Sequence, residues 1–485
     1  MNTPLTANQN SPPAPDFLGH PRMLWMLLGT TVGINFAFYG FRAFLAPYVA
    51  EAFFSGLPQA EALTQANLLF AGFGALLYAA TILGGWVADN VLGEVQALRL
   101  SVWLTIIGLA CMALPGREAF LLALAFYILS AGLNIPLTVL IGRNYAQQDP
   151  RRDAGYTLFY MAINLGGFVA PFVCASWIGV HYGFRWGFIP AAAVALAAAV
   201  IFEWQHRRVP TSGEKVRFKR RWSTPVVTVI TLLLSWPCKL LLARPTVLTV
   251  AVSVLMALLV LYFIVSSVRR GDRVQSHRYI AMLLLFIALV LFWAWSLQSA
   301  SSLNFFARDY VDAPFNFTLY QSANPLYILM LAIPVAVLWP WLDKRGINPS
   351  TPRKFGIGLL LVALGYGVML GATHFLLRPD GHITWWPLLV CYLFSTVGEL
   401  TLSPIGYAMI GKLAAPSEAS LAMGGWFFGV SVAYDLSGQI AAMTTSGGIG
   451  GYSHVFAWLL VVGVAIAAIY LVAAPWIVKL MHGVR

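Results

Sequence analysis

Charge is scarce in this chain: 10% of its 485 residues are Asp, Glu, Lys or Arg, against about 25% in an average soluble domain. A soluble globular domain is excluded, and with 59% hydrophobic residues the composition is that of an integral membrane protein. Cysteine is equally sparse. Cys111, Cys174, Cys238 and Cys391 are scattered through apolar stretches, a spacing that supports neither a disulfide framework nor a metal centre and leaves them as packing residues. HExxH, GxSxG and a phosphate-cradling glycine loop are also missing, so a membrane enzyme has no motif to rest on, and no metal or cofactor is expected. Alternating ten-residue segments of barrel type are absent too. The apolar runs have helix length, and in lipid a helix satisfies its own backbone.

The charges that are present are unevenly placed. A net charge of +12 raises the question of nucleic acid, but in a helical membrane protein Lys and Arg collect on the cytoplasmic side. Windows of apolar residues divide into six, two and six, fourteen helices in all, with both termini cytoplasmic. Of the 30 Lys and Arg, only Arg42, Arg117, Arg185, Lys239, Arg244, Arg308 and Arg378 then fall outside the cytoplasmic tails, loops and helix ends. No nucleic-acid partner is expected; the lipid bilayer is. Residues 1–22 read as a disordered cytoplasmic tail, 23–205 as a six-helix bundle, 206–278 as a basic linker (HRRVPTSGEKVRFKRR) with two inserted helices, and 279–485 as a second six-helix bundle. Linked six-helix halves are the plan of many secondary transporters, whose site lies between the halves near the midplane.

A carboxylate inside an apolar span is expensive and marks a site by default. Glu399, in GELTLSPIGY, is such a residue. It faces a polar cavity or pairs with another group; the alternative is a neutral Glu bonded to a backbone carbonyl. Asp435, in GVSVAYDLSG, is a second intramembrane acid, open to pairing, protonation or carriage of a coupling proton.

Several stretches share one resemblance. GGWVADNVLGEVQAL, Gly84 to Leu98, is similar to the loop motif of the major facilitator superfamily, with Asp89 able to cap the next helix or to pair with cations as a gating residue. YTLFYMAINLGGF, Tyr156 to Phe168, follows position by position a signature of the proton-dependent oligopeptide transporter family. FYGFRAFLAPY, FWAWSLQSASSLNFFA, QSANPLYIL, GELTLSPIGY and MGGWFF extend the match over nearly the whole chain. The resemblance implies an all-α major facilitator fold of two six-helix bundles plus two inserted helices, in a bacterial inner membrane, monomeric, working by alternating access. It also implies a substrate site containing Tyr39, Tyr78, Asn164, Trp293, Asn324, Glu399 and Trp426, with Asn324 and Glu399 receiving an amino group and Asn164 the peptide backbone. Some of these aromatic residues are equally well read as core packing.

The departures from the family are as informative. Where its first helix carries E-x-x-E-R, this chain has Thr31, Ile34 and Asn35; the fourth-helix lysine position is Asn134, or with a one-residue shift the equally neutral Ile135, and the seventh-helix acid is Leu297. Removing every partner of a buried ion network together can be neutral, whereas removing one strands the rest at about 3–5 kcal/mol. These losses predict a small amine-bearing or peptide-like solute, poor recognition of ordinary dipeptides and no proton coupling of the family type; Glu399 and Asp435 are the remaining candidates for coupling to protons. A nonpeptidic ligand such as a siderophore or drug, or a nontransporting receptor, is the competing reading. Arg42 and Arg143 could each replace the lost cation, but snorkelling to water is the preferred expectation for both.

Overall fold

The computed structural model describes residues 16–134, 136–146, 149, 151–209, 216–218 and 220–484. Fourteen long helices run through it: α1 Arg22–Arg42, α2 Gln59–Leu92, α3 Glu94–Met112, α4 Arg117–Arg143, α5 Arg151–Tyr182, α6 Phe184–Gln205, α7 Ser223–Leu242, α8 Pro245–Arg270, α9 Arg273–Tyr310, α10 Phe317–Lys344, α11 Thr351–Phe375, α12 Trp386–Leu413, α13 Ala419–Met443 and α14 Gly448–Leu480. Among the described residues thirteen are long and apolar enough to cross a membrane. The fourteenth, α13, carries Ser431, Asp435, Ser437 and Gln439, and most of its polar positions meet α2, α8 or α9 instead of lipid. The expected helix count therefore holds, as two six-helix bundles, α1–α6 and α9–α14, joined by the pair α7–α8. An even number of crossings leaves both termini at one end, called here the terminal end.

Local chemistry sets several boundaries. Helix α8 stops at Gly271, whose φ of +65° gives the left-handed closure that glycine tolerates. Helix α9 starts at once, Asp272 capping it by accepting the Val274 N–H at 2.9 Å. The tail expectation fails in its last part. Asp16–Phe17 pairs antiparallel with His20–Pro21, Trp25 Nε1 donates to the Phe17 carbonyl at 2.9 Å, and His20 Nδ1 lies 2.7 Å from the Tyr145 hydroxyl, partners that a reading of polarity and proline content did not foresee. The first fifteen residues lie outside the described ones.

The inserted helices are shared between the bundles. On α7, Lys239 pairs with Glu118 of α4 at 2.6 Å and Thr224 receives Gln96 of α3 at 3.3 Å. On α8, Thr249 donates to Asp435 of α13 at 2.7 Å. Ser266 and Arg270 reach Glu418, at the entrance to α13, at 2.7 and 3.0 Å, and Tyr279 of α9 bonds the same carboxylate. Burial alone would raise the Glu418 carboxyl, but those three bonds hold it down to about 2.

Glycine decides how closely the first bundle packs. A Cβ on Gly166 of α5 would lie 2.5 Å from the Val32 carbonyl oxygen and 2.8 Å from the Phe36 nitrogen, both backbone atoms of α1. Neither can rotate away. Gly166→Ala is therefore expected to cost about 1–3 kcal/mol by overpacking and to lower the melting temperature in detergent; an unchanged melting curve would show that α1 and α5 separate freely.

Candidate functional site

Between the bundles lies a cavity of about 80 Å³. Helix α1 supplies Tyr39 and Arg42, α2 Tyr78, α9 Trp293 and Ser296, α10 Asn324, α12 Tyr392, Ser395 and Glu399, and α13 Tyr434. Five of the seven expected substrate residues, Tyr39, Tyr78, Trp293, Asn324 and Glu399, are thus brought to one space. The contribution of α12 follows helical periodicity: positions 392, 395, 396 and 399 stand on one face. That spacing is the signal in the sequence that would have added Tyr392 and Ser395 to the candidates.

Hydrogen bonds hold the Glu399 side of the cavity. Asn324 Nδ2 donates to Glu399 Oε2 at 2.9 Å and to Thr396 Oγ1 at 3.0 Å, and Thr396 itself donates to the Tyr392 carbonyl at 2.8 Å. Tyr392 donates to the Ser299 carbonyl at 2.8 Å, a bond that Gln321 Nε2 shares at 2.6 Å. Glu399 Oε1 has no hydrogen-bond partner among the described residues. The neutral-Glu alternative, a bond to a backbone carbonyl, is not what the structure contains; the partner is the Asn324 amide.

Arg42 corrects the snorkelling expectation. Its guanidinium lines the same cavity as Glu399, 5.7 Å from the centre of the Tyr39 ring and 6.0 Å from that of Phe70, within cation–π reach. Its Nε is buried without a partner. The end of α1 is capped by the short helix Leu45–Phe53 and by Asn304 of α9, whose Nδ2 donates to the Ala43 carbonyl at 2.9 Å, so the route to water that snorkelling needs is filled by protein. Arg143 lies elsewhere, pairing with Glu94 of α3 at 2.5 Å. Among the described residues neither Arg42 nor Glu399 makes an ion pair, so the cavity holds one cation and one acid, each without a charged contact.

The other expected residues go to different places. Asn164 is buried and donates to the Tyr160 carbonyl of its own helix at 2.8 Å. Trp426 is only 1% exposed, enclosed by Phe286, Phe355 and Tyr407. Neither lines the cavity in this conformation, which places Trp426 with the core-packing aromatics. Asp435 turns away from the cavity toward α8, held by Thr249 and by Gln439 at 2.9 Å. Asp89 is exposed and does not cap α3, whose capping position is Gly93. Among the described residues no cluster of His, Cys, Asp or Glu could hold a metal ion.

The cavity is closed at one end. Opposite the termini, Arg308 of α9 pairs with Glu51 at 3.6 Å, Thr64 bonds Thr445 at 2.8 Å, and Ser322 donates to the Phe168 carbonyl at 2.8 Å, each joining one bundle to the other.

The sequence and structure were compared with known proteins. A family model described as the POT family matches residues 95–455. The peptide transporter YePEPT of Yersinia enterocolitica is 30% identical over 99% of both chains. A crystal structure of a variant of the peptide transporter POT with alafosfalin superimposes with a TM-score of 0.83 at 31% identity, over 97% of this chain and 98% of that one. A POT family transporter in complex with 5-aminolevulinic acid does so with the same score at 27% identity, over 96% and 98%. Two six-helix bundles joined by a helix pair, with a charged cavity between the bundles, matched end to end in sequence and shape, leave one assignment: the chain belongs to the POT family, and is a membrane transporter and not an enzyme.

Proposed function

We propose that this protein is a secondary transporter that carries a small zwitterionic, peptide-like solute by alternating access, gripping its ammonium group between Glu399 and Asn324 and its anionic group at Arg42. The observation that carries this reading is the pair of opposite charges without ionic partners facing one narrow cavity. A buried charge left unpaired costs several kcal/mol, roughly 3–5, and a ligand bearing both complementary charges removes that cost at both ends. Trp293, Tyr39 and Tyr78 supply apolar faces around it. The ligands of the similar proteins, alafosfalin and 5-aminolevulinic acid, are amine-bearing molecules with an acidic group and support the same class for this chain.

With the termini placed in the cytoplasm by the distribution of Lys and Arg, the end closed by Arg308–Glu51, Thr64–Thr445 and Ser322–Phe168 faces outward, in a monomer of a bacterial inner membrane. Arg42 also revises the expected poor recognition of dipeptides. Their carboxylate has a cation to meet in the cavity, although not at the two positions, Asn35 and Asn134, where the family places it. Isothermal calorimetry of dialanine on purified protein tests this. Arg42→Leu is expected to weaken binding by about ten- to a hundred-fold, the size of a charge-assisted hydrogen bond of about 1.5–3 kcal/mol. Equal affinity in the variant would remove Arg42 from the site and return the protein to the reading in which only the amine is recognised.

A further inference from the structure

A second cavity, of about 250 Å³, lies inside the first bundle. It shares Phe38 and Tyr78 with the central one, so these two residues border both spaces. Asn35 and Asn134, where the family places its arginine and lysine, both line it, and none of its lining residues is charged. The loss of those cations has left a neutral space.

Its hydrogen-bonding groups are all neutral. Thr81, Ser101 and Thr105 each spend their hydroxyl proton on a backbone carbonyl, those of Tyr78, Ser130 and Val102, at 2.6, 2.8 and 2.9 Å. Each oxygen keeps acceptor lone pairs. The Asn134 carboxamide has no hydrogen-bond partner among the described residues, its Oδ1 being buried. The Asn134 amide and the Tyr127 hydroxyl add donors to the same lining, so a carboxylate would meet this space with no cation and with several oxygens against it, whereas a carboxamide or hydroxyl can both donate to those oxygens and accept from Asn134 and Tyr127.

We infer that this space is a side pocket for an uncharged polar arm of the solute, a carboxamide or hydroxyl on a short apolar stem, while the zwitterionic part stays in the central cavity. The inference rests on the proposed amine and carboxylate contacts at Glu399 and Arg42 and names the part of the substrate they leave undefined. Phe38 and Tyr78 are then the side chains that the arm passes.

Alanyl-glutamine and alanyl-glutamate differ at the arm alone, carboxamide against carboxylate. Calorimetric titration of the purified transporter is expected to give affinity for alanyl-glutamine at least about ten-fold higher, since a site built to satisfy a polar group rejects its mismatched analogue. Thr105→Val, which removes one acceptor at nearly constant volume, should reduce that ratio. Asn134→Lys, which returns a cation to the pocket, should invert it. A wild-type ratio near one, a ratio that neither variant moves, or no binding of either dipeptide at millimolar concentration would overturn the pocket. Glu399→Gln separates this result from the underlying reading. If that variant loses both dipeptides while Thr105→Val and Asn134→Lys leave the ratio untouched, the pocket falls and the amine site stands. If Asn134→Lys inverts the ratio and Glu399→Gln binds both as before, the pocket stands and the amine site falls.

Discussion

Glu399→Gln is expected to abolish uptake, by about a hundred-fold or more, while leaving expression and melting nearly unchanged. The carboxylate is the one acid lining the central cavity, and its Oε1 is left open by the protein, so an incoming ammonium finds its anion there. Glutamine keeps the volume and keeps an oxygen to accept the Asn324 N–H now bonded at 2.9 Å, which is why the fold should tolerate it. What glutamine cannot keep is the charge. In a dehydrated cavity that substitution leaves the ligand's ammonium unpaired, and leaves Arg42 without the opposite charge that shares its space. Uptake of dialanine by cells expressing each form, normalised to protein in the membrane, measures the effect. Uptake unchanged in the variant would remove Glu399 from the binding site.

Proteoliposomes given an inward proton gradient at clamped potential are expected to bring dialanine to equal concentration on both sides and no further. Coupling needs a group that is protonated in one facing state and ionised in the other, and the family's positions for it hold Thr31, Ile34 and Leu297. None titrates in the useful range. Thr31 is satisfied within its helix, donating to the Leu27 carbonyl at 2.7 Å, and Leu297 presents a hydrocarbon surface to the central cavity. Asp435 is the remaining intramembrane acid outside the cavity, and its bonds to Thr249 and Gln439 tie it to the inserted helix α8 instead of to the solute's path. Accumulation beyond equilibrium that collapses with a protonophore and disappears in Asp435→Asn would overturn the expectation and make Asp435 the carrier of the proton. Accumulation that survives in Asp435→Asn but still needs the gradient would move the role to Glu399 or to the solute's own ionisable group.

Much of this protein was legible without its structure, because lipid imposes rules that act residue by residue. An unsatisfied backbone or a stray charge is costly in hydrocarbon wherever it occurs, so composition alone established a helical membrane protein, apolar runs set its fourteen helices, and the position of Glu399 in an apolar span marked the site. The signature around Asn164 and the matched stretches in both halves carried the family. The helix faces were decided only by tertiary packing. Arg42 and Arg143 look alike in sequence, each near a helix end, yet one points into the cavity beneath a cap formed by Asn304 and Leu45–Phe53 and the other pairs with Glu94. Trp426 and Trp293 are both aromatic residues in matched motifs, but Trp426 meets Phe286 and Phe355 while Trp293 meets the cavity. Asn35 and Asn134 read as two lost charges and became two walls of a second cavity. The helical period says which residues of one helix share a face; which neighbour that face meets depends on how helices distant in sequence rotate and cross as they pack, and no single stretch of the chain contains that information.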